Sequence, residues 1–436
     1  MNMMPSNPMI PASPKRLDDL GLPKVMMMDL LLKTMFRKSL DRLTDIAKTL
    51  CLSPVATQEL IDIAKGQRYL ETTGMMSTSD DASNEVGYRL SDAGRARAVD
   101  ALAQSEYYGA MPIPLAQYRL QVEKQSIRNV QVTRKSLEQA MSHLILPPTL
   151  LDQLSPAVSS GRSMLMYGPP GNGKSSISNG IRNSMNDLIY VPNALEYAGQ
   201  VITVFDPVLH SPVEDLMDSN SLRKRDTYDR RYVRCQRPTV ITGGELSLSM
   251  LDLIYDHKAR SYQASMQMKA TGGIFIIDDL GRQAEPPQAI VNRWIVPLEE
   301  QRDFLALNSG EKFEVPFDTL VIFSTNFHPN KIFDQAVLRR IFYKVKIDGP
   351  SKQDFLKIFT LVARAKGIEM DQAGLVHLIR NNFPTIGNVF ANYQPTFLLD
   401  QIKTICDFES IPYRMTPDLV DRAWANLFVE DEEIVR

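Results

Sequence analysis

The sequence predicts an α/β fold with a parallel-sheet core, an all-α segment after the core and a small α+β domain before it. Short apolar runs such as Met164–Tyr167 and Ile274–Ile277 end in polar loops, as strands buried on both faces of a parallel sheet do. Residues 351–436 contain four helical patterns. Residues 24–104 contain three helical patterns followed by two extended ones, which is typical of a separate α+β domain.

The chain has 436 residues, which is too long for one hydrophobic core, so we expect several domains. The net charge of −2 gives no global argument for a nucleic-acid or membrane-surface partner. The three cysteines lie far apart without metal-ligand spacing, which favours reduced structural thiols. The first residues lack an apolar signal core, and no apolar run is long enough to cross a bilayer. We therefore expect a cytoplasmic protein without membrane insertion.

Changes in composition along the chain predict the domain boundaries. The first residues are rich in Pro, Met and Ser, which is typical of a flexible arm. The predicted segments are an arm (1–23), the small α+β domain (24–104), a linker with short extended pieces (105–135), the core (136–350) with an inserted β-hairpin at about 200–245, and an all-α lid (351–436).

The segment Gly168–Ser175, GPPGNGKS, fits the phosphate-binding loop G-x-x-x-x-G-K-[ST], with a strand pattern before it and a helical pattern after it. Its glycines allow successive backbone N–H groups to converge on phosphate oxygens, and the next helix presents its N-terminus to the same anion. Lys174 is expected to reach the β- and γ-phosphates, and the Ser175 hydroxyl to bind Mg²⁺. The predicted nucleotide-binding residues are Gly168, Pro169, Pro170, Gly171, Asn172, Gly173, Lys174, Ser175 and Ser176.

Two acidic residues, Asp278 and Asp279, follow the buried strand pattern Ile274–Ile277. Open α/β sheets bind ligands at the carboxyl ends of their strands. The segment resembles a Walker B strand, which implies that Asp278 holds Mg²⁺ through its water shell and that Asp279 polarises the attacking water. Many relatives have Glu at the second position, so the shorter Asp279 leaves the rate of hydrolysis open.

Two further segments resemble AAA+ ATPases, and they follow in the order typical of that family. Asn326 ends the apolar run that begins at Leu320. This is the sensor 1 position, on a strand between the other two, where an amide can hydrogen-bond the γ-phosphate and the lytic water. Phe333–Ile341 resembles the helix that carries an arginine finger, with Arg340 as first choice and Arg339 as second. Because a finger acts on the neighbouring subunit's ATP, the resemblance implies a homo-oligomer, most often a hexameric ring.

A long insertion departs from a minimal AAA+ module, because Lys174 and Asp278 are 104 residues apart. In rings of this family the region faces the pore, where Tyr228 and Tyr232 would grip a polymer; the preferred alternative is a solvated basic surface. The basic residues concerned are Arg223, Lys224, Arg225, Arg230, Arg231, Arg234 and Arg237.

Two other positions leave alternatives open. Thr396 stands near the position of a sensor 2 arginine, which is therefore absent or supplied from elsewhere, for instance by Arg380. Ile145 and Leu146 either pack on adenine or belong to the core, and the core is preferred.

Residues 24–104 resemble a winged helix-turn-helix domain, with a recognition helix that begins after Ser53 as N-cap. A DNA reader needs several phosphate-neutralising cations on that face. Residues 24–106 contain 11 basic and 12 acidic residues. A protein-docking or structural role is therefore favoured, with DNA contact as the alternative.

These patterns together predict a Mg²⁺-dependent ATPase that converts ATP and water to ADP and phosphate and remodels or assembles a protein partner bound through residues 24–104. The alternative is a DNA-associated AAA+ ATPase, either similar to a helicase loader or a regulator of transcription or transposition. A weaker alternative is an ATP-binding switch with little hydrolysis, because Asp279 is short and sensor 2 is uncertain.

Overall fold

The computed structural model describes residues 9–76, 85–130, 132–213 and 228–427. Its helices are α1 (Lys24–Lys38), α2 (Leu43–Leu50), α3 (Pro54–Gly66), α4 (Asp92–Gln104), α5 (Leu115–Lys124), α6 (Arg134–Ala140), α7 (Pro148–Ser159), α8 (Lys174–Asn183), α9 (Met266–Lys269), α10 (Pro287–Arg293), α11 (Ile295–Glu300), α12 (Pro329–Ile332), α13 (Gln335–Leu338), α14 (Lys352–Lys366), α15 (Gln372–His377), α16 (Gln394–Glu409) and α17 (Pro417–Ala425). Within the described ranges, no helix combines the length and the apolar character needed to cross a bilayer.

Most of the strands are short. They are β1 (Leu70–Met76), β2 (Glu85–Leu90), β3 (Ile113–Pro114), β4 (Met164–Tyr167), β5 (Leu188–Pro192), β6 (Ala194–Tyr197), β7 (Gln200–Thr203), β8 (Tyr232–Gln236), β9 (Thr239–Thr242), β10 (Ile254–Asp256), β11 (Ser261–Gln263), β12 (Ile274–Ile277), β13 (Arg302–Ala306), β14 (Lys312–Pro316), β15 (Leu320–Thr325) and β16 (Tyr343–Lys346). The start of the expected arm (1–8), the polar stretch with Arg223, Lys224 and Arg225, and the end of the expected lid (428–436) lie outside the described residues.

A five-stranded sheet forms the α/β core that the sequence predicts, with the strand order β16–β4–β15–β12–β9. Strand β4 is parallel to both of its neighbours, β15 and β16. Every residue of β12 and β15 is buried, because apolar runs of this kind are covered on both faces of the sheet. Strand β15 lies between β4 and β12, so the strand that ends before Asn326 has the predicted place in the order.

The chain forms two compact units. Within their described parts, the first comprises Met1–Gln131, Met185–Ile276 and Gln283–Val321, and the second comprises Val132–Ser184, Ile277–Arg282 and Ile322–Arg436. The predicted phosphate loop, the acidic pair, Asn326, both candidate arginine fingers and the predicted lid all belong to the second unit.

In the first unit, α1 to α4 and the antiparallel pair β1–β2 share one hydrophobic core. The Ser53 side chain caps α3 by accepting a hydrogen bond from Ala56 N, as the sequence predicts. Leu17 and Leu20, in a single 3₁₀ turn, are buried in the same core. The described part of the expected arm is therefore packed against helices, because its leucines have an apolar core to enter.

Residues 105–135 differ from the linker expected there, because they contain the ten-residue helix α5 as well as strand β3. Tyr118 and Val122 of α5 are buried in the core of a second sheet with the order β10–β11–β7–β6–β3. The expected hairpin at about 200–245 is distributed over three sheets: β7 pairs with β6, β8 pairs with β5, and β9 joins the central sheet. Strands this short do not reveal their partners in the sequence.

Three side chains of the insertion that were candidates for polymer contact are buried. Arg231 is 2% exposed and forms a two-point ion pair with Asp229, with Nε–Oδ1 and Nη2–Oδ2 distances of 3.1 and 2.8 Å. Arg237 binds Asp187 in the same way, at 2.8 and 2.6 Å, and Tyr232 is also buried. The polymer-gripping interpretation is therefore wrong for these three residues, because they are buried. The solvated-surface alternative is wrong for Arg231 and Arg237, because their charges are paired inside the first unit.

In the second unit, the C-terminal segment is helical, as predicted. Helices α14, α16 and α17 share a core that includes Phe355, Phe383 and Leu399. Helix α15 continues into a π-helical turn, Leu378–Asn382. Apolar residues at helical spacing suffice to predict the helices of this segment.

Candidate functional site

The loop Gly168–Ser175 connects β4 to α8 in the second unit. Gly168, Gly171 and Gly173 have φ angles of +148°, +74° and +86°, which L-residues with a side chain rarely adopt. Space restricts the first two as well, because a Cβ on Gly168 would overlap Ile347 O and one on Gly171 would overlap the Tyr393 ring. The sequence therefore bends the backbone into the curl that an anion-binding loop needs.

Lys174 begins α8, and its side chain lies across the loop. Its Nζ is 2.7 Å from Asn326 Oδ1, 2.9 Å from Gly168 O and 3.0 Å from Pro169 O. The residue is 6% exposed, and this burial lowers the pKa of the ammonium group, while the nearby carboxylates of Asp279 and Asp278 raise it. Three neutral oxygens thus accept hydrogen bonds from the Lys174 ammonium group, and a bound phosphate could replace them as its acceptor.

Asp278 follows β12 and is fixed by two hydroxyl groups. Ser175 Oγ donates to its Oδ2 at 2.8 Å, and Ser324 Oγ donates to its Oδ1 at 2.9 Å. Ser324 is an orienting residue that the sequence analysis missed, because a serine inside an apolar strand run carries no functional signal of its own. The Ser175 hydroxyl and the Asp278 carboxylate are therefore within reach of one cation.

This donor set fits Mg²⁺, which is commonly held by one or two carboxylates together with waters and substrate phosphates. Across the described ranges, no group of three or more His, Cys, Asp or Glu side chains could hold a metal ion. A Mg²⁺ ion here would therefore take most of its ligands from water and a bound nucleotide, with Ser175 and Asp278 as the protein's contribution.

Asn326 joins Lys174 to Asp279. Its Nδ2 donates to Asp279 Oδ1 at 2.7 Å, while its Oδ1 accepts from Lys174 Nζ. The two ends of the amide have opposite hydrogen-bonding roles, so these partners fix its orientation. The structure thus brings together the predicted base, the predicted sensor 1 amide and the phosphate-loop lysine.

The carboxyl and amide groups line a cavity of about 380 Å³ above the phosphate loop, which the lid residues Asn392 and Tyr393 also line. An adjoining cavity of about 270 Å³ is mainly apolar, and Ile145, Leu146 and Ile358 contribute to its wall. Ile145 and Leu146 are only half-buried. The preferred sequence interpretation, which assigned them to the core, is therefore wrong.

The lid contacts the phosphate loop directly through hydrogen bonds. Tyr393 N donates to Gly171 O at 3.0 Å. Asn392 N donates to Asn172 Oδ1 at 3.3 Å, and Asn392 Nδ2 donates to Asn172 O at 3.1 Å. These lid residues were missed because the polar run before α16 resembles any other loop. Thr396 lines the apolar cavity, and Arg380 lies exposed in the π-helical turn.

Arg339 and Arg340 follow the short helix α13 and precede β16, as the sequence predicts. Arg339 is exposed, whereas Arg340 is half-buried and its Nη1 donates to Ala336 O at 2.9 Å. The preferred finger therefore folds back along its own helix in this conformation, and the second choice extends from the surface.

Comparisons with known proteins give one family and several distant structures. A family model described as "Domain of unknown function (DUF8689)" matches residues 351–426. No curated protein matches the chain. RuvB from Thermotoga maritima, described as a Holliday junction branch migration motor, is similar at a TM-score of 0.38 and 13% identity over 68% of this chain and 75% of its own. NtrX from Brucella abortus is similar at a TM-score of 0.40 and 12% identity over 74% of this chain and 66% of its own.

Proposed function

We propose that the chain is an AAA+ ATPase that hydrolyses ATP to ADP and phosphate with Mg²⁺. One observation carries this proposal: under the glycine-bent loop, Ser175 bonds Asp278, and Asn326 bonds both Lys174 and Asp279. A strand-end carboxylate pair, an amide and a lysine beside an anion-binding loop are the groups that phosphoryl transfer requires.

Binding begins with the loop and helix α8. The backbone N–H groups of the loop and the N-terminus of this ten-residue helix face the triphosphate. Lys174 exchanges its carbonyl and amide partners for the β- and γ-phosphate oxygens, which are stronger acceptors because they are charged. Ser175 and Asp278 would hold Mg²⁺, which when bound would neutralise charge on the phosphates.

Hydrolysis then falls to Asp279 and Asn326. Asp279 takes the proton from a water aligned with the γ-phosphate, and Asn326 orients that water. The 2.7 Å bond from Asn326 Nδ2 supports these roles, because it holds the carboxylate in one position before the substrate arrives. A longer Glu side chain is not needed here, because Asp279 already reaches the Asn326 amide.

The apolar cavity suits adenine. Ile145 and Leu146 approach it from the segment between α6 and α7, and Ile358 and Val362 approach it from α14. A purine ring placed there removes apolar surface from water while its triphosphate continues toward the loop. We therefore assign the base to this cavity.

The proposal extends to the oligomeric assembly of the chain and to its binding partner. We propose a homo-oligomeric ring, with six subunits as the first expectation, in which Arg340, or Arg339 as the second choice, acts on a neighbour's ATP.

Residues 24–104 are proposed as a winged-helix module that docks a protein partner. On α3, Glu59 accepts a hydrogen bond from Leu17 N and Lys65 lies 4.0 Å from Asp62, which leaves little positive charge for DNA.

The proposal is tested by replacing Lys174 with alanine. Lys174→Ala removes the cation at the loop, so ATP affinity should fall about 10- to 100-fold, the range expected for a charge-assisted hydrogen bond. Isothermal titration with ATP and Mg²⁺ measures the affinity, and phosphate release measures turnover. Lys357→Ala, which removes an exposed lysine of α14, is the matched control. Near-normal affinity in Lys174→Ala would reject the assignment of the loop.

The DNA-associated alternative has its own readout. If the chain acts on DNA, added DNA should raise phosphate release, and the stimulation should weaken steeply as salt increases. ATPase activity that is independent of DNA at low salt favours the protein-remodelling proposal.

A further inference from the structure

The carboxylate of Asp278 accepts three hydrogen bonds from the protein. Its Oδ1 accepts from Ser324 Oγ at 2.9 Å and from Asp279 N at 3.1 Å. Its Oδ2 accepts from Ser175 Oγ at 2.8 Å. An ionised carboxylate has about four lone-pair positions, two on each oxygen. Among the residues that the structure describes, these donors fill both positions on Oδ1 and leave one position on Oδ2.

The two donors on Oδ1 are held in place by the fold. Ser324 is fully buried in β15, so water does not compete with its hydroxyl group. The ionised Asp278 carboxylate only accepts, so this hydroxyl must donate its single proton to it. Leu280 N donates to Ser324 O at 2.7 Å, which ties the turn after β12 to β15. Oδ1 is therefore occupied by the protein before any cation arrives.

The one open position on Oδ2 limits how Asp278 can serve a cation. Ca²⁺ accepts irregular coordination and often binds a carboxylate through both oxygens. Mg²⁺ requires a near-octahedral arrangement and keeps several waters. With Oδ1 occupied, Asp278 can bind a cation, or one water of its shell, through Oδ2 alone. This arrangement suits Mg²⁺ and withholds from Ca²⁺ the second carboxylate oxygen.

We propose that Ser324 is a positioning residue that makes the site selective for Mg²⁺ over Ca²⁺ by keeping Asp278 Oδ1 away from the cation. This inference rests on the proposed ATPase function and adds to it the choice of metal. Ser324 acts through the orientation of Asp278, since its own side chain is buried. Without the hydroxyl group, Oδ1 keeps only the bond from Asp279 N, and the carboxylate is freer to turn both oxygens toward the ion.

The test measures the affinity of the full chain for AMPPNP, an ATP analogue that is not hydrolysed, by isothermal titration in EDTA, in Mg²⁺ and in Ca²⁺. In the wild type, Mg²⁺ should strengthen binding more than Ca²⁺ does. In Ser324→Ala, the gain from Mg²⁺ should fall about 10- to 100-fold, as is typical when a metal ligand loses its outer partner. The gain from Ca²⁺ should not fall. Affinity in EDTA should stay unchanged, because Lys174 and the phosphate loop are intact.

Two further variants at this position check the role of the hydroxyl group. Ser324→Thr keeps a hydroxyl donor and should keep the preference for Mg²⁺. Ser324→Cys replaces it with a weak donor of similar shape, so the gain from Mg²⁺ should fall as in Ser324→Ala. The matched control is Ser178→Ala, which removes another buried serine hydroxyl, one that donates to Lys174 O at 3.1 Å. It does not touch Asp278, so the metal preference should persist.

The inference is overturned if the wild type gains equally from both metals, or if Ser324→Ala and Ser324→Cys keep the wild-type preference. It is also overturned if Ser324→Ala lowers both gains by the same factor, because Ser324 would then support the site without selecting the metal. A wild-type chain that binds no AMPPNP under any condition rejects the proposed function as well. A chain that binds it tightly with either metal rejects only the role of Ser324. Circular dichroism checks the fold of each variant.

Discussion

The backbone at Asp279 favours an aspartate at this position. Its φ angle is +50°, in the left-handed region where Asn and Asp are several-fold enriched. Most other side chains are strained in this conformation. Asn326 Nδ2 also reaches the carboxylate at 2.7 Å, so a longer side chain is not needed to meet the amide. Asparagine is the substitution that preserves both features and removes only the charge.

We expect Asp279→Asn to keep ATP binding and to slow hydrolysis by about 10²- to 10⁴-fold, the contribution typical of a positioned general base. The amide retains an oxygen that can accept from Asn326, so the geometry of the site should persist. ATP affinity by titration and single-turnover phosphate release measure the two effects. Asp348→Asn, at an exposed site paired with Lys346, is the control. Turnover at the wild-type rate would assign the proton transfer to another group.

At the scale of elements, the phosphate loop and the lid depend on each other. The Gly171 carbonyl accepts from Tyr393 N, and the Tyr393 ring packs where a Cβ on Gly171 would lie. In a trans peptide the N–H points away from the C=O. Holding the Gly171 carbonyl toward the lid therefore turns the N–H of Asn172 away from it, which favours the anion-binding arrangement of the loop.

Gly171→Ala should weaken ATP binding and lower the thermal stability of the chain. The new Cβ meets the Tyr393 ring, and a non-glycine residue at φ +74° costs about 1–3 kcal/mol. Adding Tyr393→Ala should recover part of the stability, because it relieves the overlap and leaves the backbone strain. Thermal unfolding and ATP titration of both variants give the readouts. Equal stability of the single and double variants would mean that the ring does not constrain the loop.

The buried arginine of the insertion illustrates a charge that serves the fold. Arg231 pairs with Asp229 and donates to the carbonyl oxygens of Leu20 and Pro112 and to Gln117 Oε1. These partners come from segments that are far apart in the sequence. The guanidinium group therefore connects them inside the first unit.

Arg231→Met should lower the free energy of unfolding by about 3–5 kcal/mol, because Asp229 is left as an unpaired buried charge. Arg230→Met, at the exposed neighbouring position, should change it by less than about 0.5 kcal/mol. Urea unfolding followed by circular dichroism compares the two variants. Similar small effects would show that Arg231 is dispensable for the fold.

At the scale of the whole molecule, the proposed ring depends on where the two arginines after α13 act. Arg340 Nη1 bonds Ala336 O of its own helix, and Arg339 is exposed. An arginine finger must leave such intramolecular partners and reach the γ-phosphate of another subunit. Under this hypothesis Lys174 and Asp279 act on their own subunit's ATP, whereas Arg340 acts on the neighbour's.

Arg340→Ala should therefore bind ATP normally and lose about 10³- to 10⁵-fold in kcat. Mixing Arg340→Ala with Asp279→Asn subunits should restore part of the activity. One complete site forms where an Arg340→Ala subunit binds ATP and an Asp279→Asn neighbour supplies its intact arginine. Phosphate release is measured in samples in which light scattering detects mixed oligomers.

Arg339→Ala is the matched variant for this experiment. If Arg339 is the finger, the loss of activity and the rescue move to that variant. If no mixture of either variant is rescued, the arginines act within their own subunit or stabilise the fold, and the proposal of a shared site is wrong.

The sequence alone determined the chemical composition of the candidate site and the α/β class of the core. The phosphate loop depends on consecutive backbone groups, so Gly168–Ser175 can be recognised locally. Asp278 and Asp279 could be placed because a buried strand ends directly before them. Local patterns report hydrogen bonding and burial over a few residues, which suffices for elements of this kind.

Only the tertiary structure decided how distant groups meet. The left-handed backbone of Asp279, the bond from Ser324 to Asp278 and the contact of Asn392 with Asn172 have no signature in the sequence. The buried pairing of Arg231 with Asp229 could not be told from a solvated basic stretch either. The physical reason is the same in each case: burial and hydrogen-bond geometry at one residue are set by segments that pack against it from elsewhere in the chain, and local periodicity carries no information about them.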